Sequence, residues 1–417
     1  MTETKKPVHP IAFLVLYLPF GACAGFGNVP LAYQLHAHGV SVSALAIFLS
    51  MNLLPNTWKV LWSPLIDTTL SARKWYAIGV GITAVAFLIM AFAPLGPQSM
   101  PLLDAMAFIL GLASSIAAMG AERFMAYNTS EETKGRAGGW SQAGNLGGAG
   151  LGGGLGLMLV TSTHLPWSAG AALAVLSLAC IGMAFALADP PRVGEARGYL
   201  ASLKEAGGDV LGLATRRIGL LAIFICLLPL GTGAAGNLWA VVAGDWRAGA
   251  AEVALVAGAL SGVFTMIGAL AGGYLCDHMD RKGAYAMFGA MGGLAAVIMA
   301  LAPRTPIAFM VFASLYNLTT GASFAAFGAL TLEAIGRGAA ATKYNLIASV
   351  ANVPILLTTL ADGQAQQVFG SGGMLLAEAA LAIAAAGLYF AVAWLTRGWS
   401  WQGARRLAGM APATSGG

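Results

Sequence analysis

Apolar residues fall in long runs along this chain, without the two-residue alternation of amphipathic strands. Twelve runs approach the roughly 20 residues a helix needs to cross the ~30 Å hydrocarbon core of a bilayer. They lie at 10–32, 43–66, 75–94, 100–121, 137–160, 166–188, 217–242, 251–273, 284–302, 306–330, 341–363 and 373–395. The pattern predicts an all-α membrane protein with twelve transmembrane helices, and the missing alternation excludes a membrane β-barrel.

The polar residues between the runs repeat. Asp67 and Arg73-Lys74 follow the second run, and Asp277 and Arg281-Lys282 follow the eighth, with 210 residues between the aspartates. The same offset carries Pro19 and Gly21 onto Pro229 and Gly231, and brings Glu122 to within one residue of Glu333. The chain therefore divides into two pseudo-symmetric six-helix halves, 1–188 and 217–396, joined by a linker at 189–216 and followed by a tail at 397–417. The linker opens on DPPRVGEARG, whose paired prolines end the sixth helix, and continues as a mixed apolar and charged stretch suited to the membrane surface. Duplicated membrane halves are an architecture of secondary transporters, which bind solute near the midplane between the halves.

Composition agrees with the pattern: 58% of residues are hydrophobic and only 9% charged, too few to cover a soluble globule of 417 residues. The lysines and arginines then orient the chain. With a cytoplasmic N-terminus, nineteen of the 22 fall in inner segments, Arg247 and Arg304 face outward, and Lys59 lies within a span. Both termini are thus expected in the cytoplasm. The net charge of +5 follows from this asymmetry, so it implies contact with anionic lipid and not with nucleic acid. The abundance of alanine and glycine suggests a bacterial inner membrane, and the N-terminus lacks a small-residue cleavage signature, so the first helix is expected to be retained. Cys23, Cys180, Cys226 and Cys276 have no paired spacing and read as packing residues, with neither a disulfide nor a metal expected.

The Asp and basic pairs after the second and eighth spans resemble the loop signature of the major facilitator superfamily, most closely in GGYLCDHMDRKG. Within that superfamily, LLPNTWKVLWSPLID, ERFMAYNTSEETKGRAGG and AATKYNLIASVANVP resemble the AmpG-type branch of muropeptide, acetyl-CoA and siderophore permeases. The chain departs from the branch at Ala118 and Glu122, where aspartates are common, and at Lys343, which replaces a glutamine. The resemblance implies the major facilitator fold, with helices one, four, seven and ten around a central cavity and the fifth and eighth meeting across the halves.

On that fold Asp67 can accept hydrogen bonds from the positive N-terminus of the eleventh helix near Thr342, and Asp277 from the fifth near Gly138. Arg73-Lys74 and Arg281-Lys282 would hold the loops and anchor to lipid headgroups. Such a latch would exist only while the cytoplasmic side is closed; alternatively these charges serve topology alone. Glu122-Arg123 and Glu333 close the fourth and tenth helices. They read either as inner gate ion pairs, with Arg136, Arg337 or Lys343 as partners, or as proton-titrating sites.

Polar residues inside spans require a reason. Asn52, Asn56 and Lys59 share one face of the second helix beside the kink expected at Pro55, and Lys59 can either snorkel outward or line a cavity. Asn28, Asn237 and Asn317 lie on the helices implied to surround the cavity, either as substrate ligands or as interhelical hydrogen bonds; Gln142, Asn145, Asn345 and Asn352 are secondary candidates. Asp104, Asp362 and Glu378 lie near outer helix ends and read as interfacial. The run GNLGGAGLGGGLG is no nucleotide loop, because it sits in an apolar helix with no preceding strand. Gly144, Gly148, Gly152 and Gly156 line one face, suited to packing and, where the fifth and eighth helices meet, to sliding.

Together these features predict a secondary active transporter for a small amphiphilic solute, muropeptide-like, siderophore-like or drug-like. It is expected to act as a monomer coupled to protons, with no cofactor. A non-transporting sensor on the same fold is the alternative. A membrane enzyme is disfavoured because His9, His36, His38, His164 and His278 all lie at helix ends or in loops.

Overall fold

The computed structural model describes residues 8–191, 217–336 and 339–395, together with Lys204, Gly207, Gly208, Leu211, Gly212 and Thr215. The expected tail, most of the expected linker, Arg337 and six other basic residues of the positive-inside count (Lys5, Lys6, Arg192, Arg197, Arg216 and Arg397) lie outside them, as do Arg405 and Arg406 in the tail.

The described secondary structure is helical throughout. In the first half, α1 is Ile11–Phe26, continued by a π-helical turn, Gly27–Leu31, and by Ala32–Ala37. The wide turn accommodates Pro30, which has no N–H to give to the preceding turn. Helix α2 is Val42–Trp58, capped by the Ser41 hydroxyl, which accepts from the Ala44 N–H at 3.3 Å. A 3-10 turn, Lys59–Leu61, and a short helix, Ser63–Thr68, then carry the chain to Asp67. Helices α3 (Ala72–Phe92), α4 (Met100–Asn128), α5 (Lys134–Gly150, continued through a π-helical turn to Thr163) and α6 (Ser168–Ala186) complete this half.

The second half opens with α7, Arg217–Cys226, which breaks and resumes as Ala234–Leu238 and Trp239–Val242. Helix α8 runs from Ala250 to Cys276 through a π-helical turn at Val256–Leu260. Helices α9 (Arg281–Leu301) and α10 (Pro306–Ile335) follow, each capped by the preceding side chain, Asp280 or Thr305. The last helical stretch, Ala340–Leu395, changes direction at Gly370, whose φ of 69° favours glycine; it divides there into α11 (340–369) and α12 (371–395).

Among the described residues nine helices are long and apolar enough to span a membrane, with α11 and α12 counted together. The two remaining crossings are made by α2, which stops after 17 residues, and by the broken α7. Large apolar side chains such as Val175, Phe185, Leu301, Val311 and Trp394 are exposed, as lipid-facing groups should be.

Glycines set how closely the helices approach, and they decide between the two readings of the stripe. The stripe of Gly144, Gly148 and Gly152 faces α1 within its own half, not α8: a Cβ at Gly144 would lie 2.3 Å from the Leu14 carbonyl oxygen, and one at Gly152 2.5 Å from that of Ala22. Contact between the halves uses other faces of α5. Gly139 meets Ala269 and Gly273, Gly150 meets Gly262, and Gly138 meets Ala325 and Ala329 of α10. The π-helical turns of α5 and α8 adjoin in the same interface.

Candidate functional site: a cavity between the halves and its latches

A cavity of about 700 Å³ lies between the halves. The first half contributes Tyr17 and Phe20 from α1, Asn52, Asn56 and Lys59 from the α2 region, Glu122 from α4, and Gln142 and Asn145 from α5. The second contributes Asn237 from α7, Phe324 and Phe327 from α10, and Tyr344, Asn352 and Thr359 from α11.

Lys59 and Glu122 are the charged residues among those described in this lining. Lys59 is carried inward because α2 gives way to the 3-10 turn at Trp58, one turn after Pro55. Of the two readings left open by the sequence, the structure places its side chain in the cavity wall. Glu122 is buried and accepts a 2.6 Å hydrogen bond from Nδ2 of Asn345, which also donates to the Ala341 carbonyl at 2.8 Å. Asn145 donates to the Gln142 side chain at 3.1 Å, and Asn237 to the Thr359 hydroxyl at 3.3 Å. Asn56 reaches the Asn52 carbonyl at 3.4 Å.

Two of the proposed substrate ligands lie elsewhere. Asn28 is exposed, within the π-helical turn of α1. Asn317 is buried in α10 and is not part of the described lining, with no hydrogen-bond partner for its Nδ2 among the described residues.

At one end of the bundle the halves are tied together. The buried Asp67 carboxylate accepts from the Thr342 N–H at 2.8 Å, the Thr342 hydroxyl at 2.8 Å and the Ala341 N–H at 3.2 Å, all at the N-terminus of α11. Arg123 sits 3.6 Å from Asp67 and donates to the carbonyls of Ile66 at 2.7 Å and Leu70 at 3.0 Å, so it holds the aspartate's loop. Asp277 accepts from the N–H groups of Gly135 at 2.7 Å and Arg136 at 3.2 Å, and pairs with the Arg136 guanidinium at 2.6 Å. That site is one turn earlier than Gly138, because α5 begins at Lys134.

The acidic gate residues have the following described partners, and Arg337, one of those expected, lies outside the described residues. Glu333 pairs with Arg281 at 3.0 Å and Lys282 at 2.7 Å, while Arg281 also donates to the Glu131 carbonyl across the halves. Glu122 takes Asn345, Arg123 takes Asp67 and Arg136 takes Asp277. Lys343 is buried at the start of α11. Arg73 donates to the carbonyls of Ala184 at 3.1 Å and Leu187 at 2.9 Å and stacks over Phe185, tying α3 to the end of α6. Lys74 is exposed.

A family model for the major facilitator superfamily matches residues 11–359. The chain belongs to the major facilitator superfamily. Among solved structures it is similar to the proton:xylose symporter XylE bound to 6-bromo-6-deoxy-D-glucose, at 12% identity over 91% of this chain and 95% of that one, with a TM-score of 0.67. It is also similar to the E. coli fucose:proton symporter FucP (14% identity, 91% and 98% covered, TM-score 0.65) and to the human organic anion transporter MFSD10 (14%, 91% and 97%, TM-score 0.66). No curated protein matches the chain. This superfamily member is a membrane transporter, not an enzyme.

One cluster was misjudged from sequence. Asp362 and Glu378 are both buried, not interfacial, and Asp104 is half-buried. The signal was present: Glu378 interrupts the run GGMLLAEAALAIAAA, where a carboxylate on a membrane helix requires a partner.

Proposed function

We propose that the protein is a secondary active transporter of a small amphiphilic solute bearing one anionic group, working by alternating access and coupled to protons. The carrying observation is that, among the described residues of the cavity wall, Lys59 is the cation and Glu122 the carboxylate, within otherwise uncharged surroundings. A solute carboxylate can replace Glu122 as the partner of Lys59. Glu122, then buried without its counter-charge, takes up a proton, since an unpaired buried charge is costly. Binding of solute and proton is thereby linked through one lysine. Tyr17, Phe327 and Tyr344 offer apolar and aromatic faces to the rest of the solute.

Both termini face the cytoplasm of a bacterial inner membrane, with residues 1–188 and 217–396 as the moving bodies. The Asp67 and Asp277 latches then close the cytoplasmic side, and the described conformation is the one open or occluded toward the outside. The AmpG-type stretches favour a muropeptide-like or siderophore-like solute, and a drug-like anion fits the same wall. Two of the structural neighbours bear names that describe proton symport, the coupling proposed here.

Purified protein in proteoliposomes, given an inward proton gradient and a panel of anhydro-muropeptide, siderophore and anionic drug, tests this. At least one anionic solute should accumulate above equilibrium only while the gradient lasts, and its neutral amide or ester should not. Accumulation that ignores the gradient, or none for any anionic solute, would refute the proposal.

A further inference from the structure

The second half holds a buried acidic cluster behind the cavity wall. Helix α7 is interrupted between Cys226 and Ala234, and Gly231 and Gly233, with φ of 56° and 68°, turn the chain there. Thr232 and the backbone of Ala234 and Ala235 surround the Glu378 carboxylate of α12, and the Tyr316 hydroxyl of α10 donates to its Oε1. Asp362 of α11 is fully buried and close enough for its charge to interact with Glu378 and Tyr316. Neither oxygen of Asp362 has a hydrogen-bond partner among the described residues, nor has Oε2 of Glu378. The cluster does not line the central cavity, but Thr232 and Thr359, which is three residues before Asp362 on α11, do.

Two buried carboxylates, with three of their oxygens unpartnered among the described residues, cannot both stand bare. Desolvation of each ion costs several kcal/mol before their mutual repulsion is added. Among the described residues no basic side chain is paired with either carboxylate. The charge acting on Asp362 is that of Glu378, and the basic group at this end of α12, Arg304, is stacked 3.8 Å over Trp246 and donates to the Ala300 carbonyl. What the site offers is acceptors: both oxygens of Asp362 and Oε2 of Glu378, beside an interrupted helix, an arrangement that transporters use for small cations.

We propose that Asp362 and Glu378 form a second ion site, distinct from Glu122, that binds one monovalent cation, a proton or Na+. The site joins α10, α11 and α12 to the break in α7, whose Asn237 and Thr232 line the cavity, so occupancy of the site is transmitted to the cavity wall. It does not rest on the anionic-solute proposal.

The test uses the full chain in nanodiscs with Glu122→Gln as background, so that the central carboxylate cannot contribute. If the ion is Na+, adding NaCl at alkaline pH should raise Tm where equal KCl does not, as expected for a ligand that binds only the folded state. If it is a proton, Tm should rise as pH is lowered without a sodium effect, and infrared spectra should show a protonated carboxyl band that ionises at high pH. Asp362→Asn and Glu378→Gln should each abolish whichever response is seen. Should a variant fail to fold, the background protein alone decides. Absence of both a sodium-specific and a pH-dependent response would overturn the site, as would persistence of the response in both variants.

Discussion

Replacing Asp67 and Asp277 together by asparagine is expected to reduce transport at least tenfold and to shift the protein toward the conformation open at the latch end, with membrane insertion unchanged. Asp67 accepts three hydrogen bonds from the first turn of α11, and Asp277 accepts two N–H bonds and a guanidinium from the first turn of α5. Hydrogen bonds to a charged group contribute about 1.5 to 3 kcal/mol each. Asparagine retains one acceptor but turns an amide NH2 toward backbone donors, so each latch loses at least one such bond and the attraction of a carboxylate for a helix N-terminus. Every 1.4 kcal/mol lost is about a tenfold change in the conformational equilibrium. Spin-label distances between the halves at the latch end should lengthen in the double variant, while Asp280→Asn, which alters a helix cap and a contact with Tyr389 within one half, should leave them unchanged. Wild-type flux and distances in the double variant would reduce the two aspartates to topological markers.

Much of this arrangement was legible in the sequence because it is local or repeated. The apolar runs specify the spans, and the repeated Asp and basic pairs specify which loops are equivalent. Choices made between helices were not legible. A four-residue glycine stripe announces a close approach without naming the neighbour, and Gly144, Gly148 and Gly152 pack on α1 and not on α8. The π-helical turn at Gly27–Leu31 changes the phase of α1, so Asn28 does not share the cavity-facing side of Tyr17 and Phe20. Position near a helix end suggested an interfacial Glu378, but the hydroxyl of Tyr316, 62 residues away in sequence, holds it inside. The basic pairs were expected at the lipid surface, yet Arg281 and Lys282 both found Glu333.

The second large effect is expected at Lys59. Lys59→Gln should weaken binding of the anionic solute by about ten- to hundredfold, the equivalent of one charge-assisted hydrogen bond of roughly 1.5 to 3 kcal/mol. Lys59→Arg, which keeps the charge, should recover most of the affinity, although its planar fork alters the geometry. The neutral analogue of the solute should bind wild type and Lys59→Gln equally weakly. Calorimetric titration of purified protein distinguishes these outcomes. Equal affinity of wild type and Lys59→Gln for the anionic solute would remove Lys59 from the binding site and leave it a structural partner of Glu122.

In the proposed cycle one carboxylate of the cavity, Glu122, carries the coupling proton. Its most direct test compares solute exchange with proton-driven accumulation in proteoliposomes of wild type and Glu122→Gln. The glutamine oxygen can still accept from Asn345, so the conformational cycle is preserved. Exchange down a solute gradient should continue near the wild-type rate while accumulation against it disappears. Loss of both together would make Glu122 a gate residue, and full accumulation by the variant would place the coupling proton elsewhere; either result contradicts the claim.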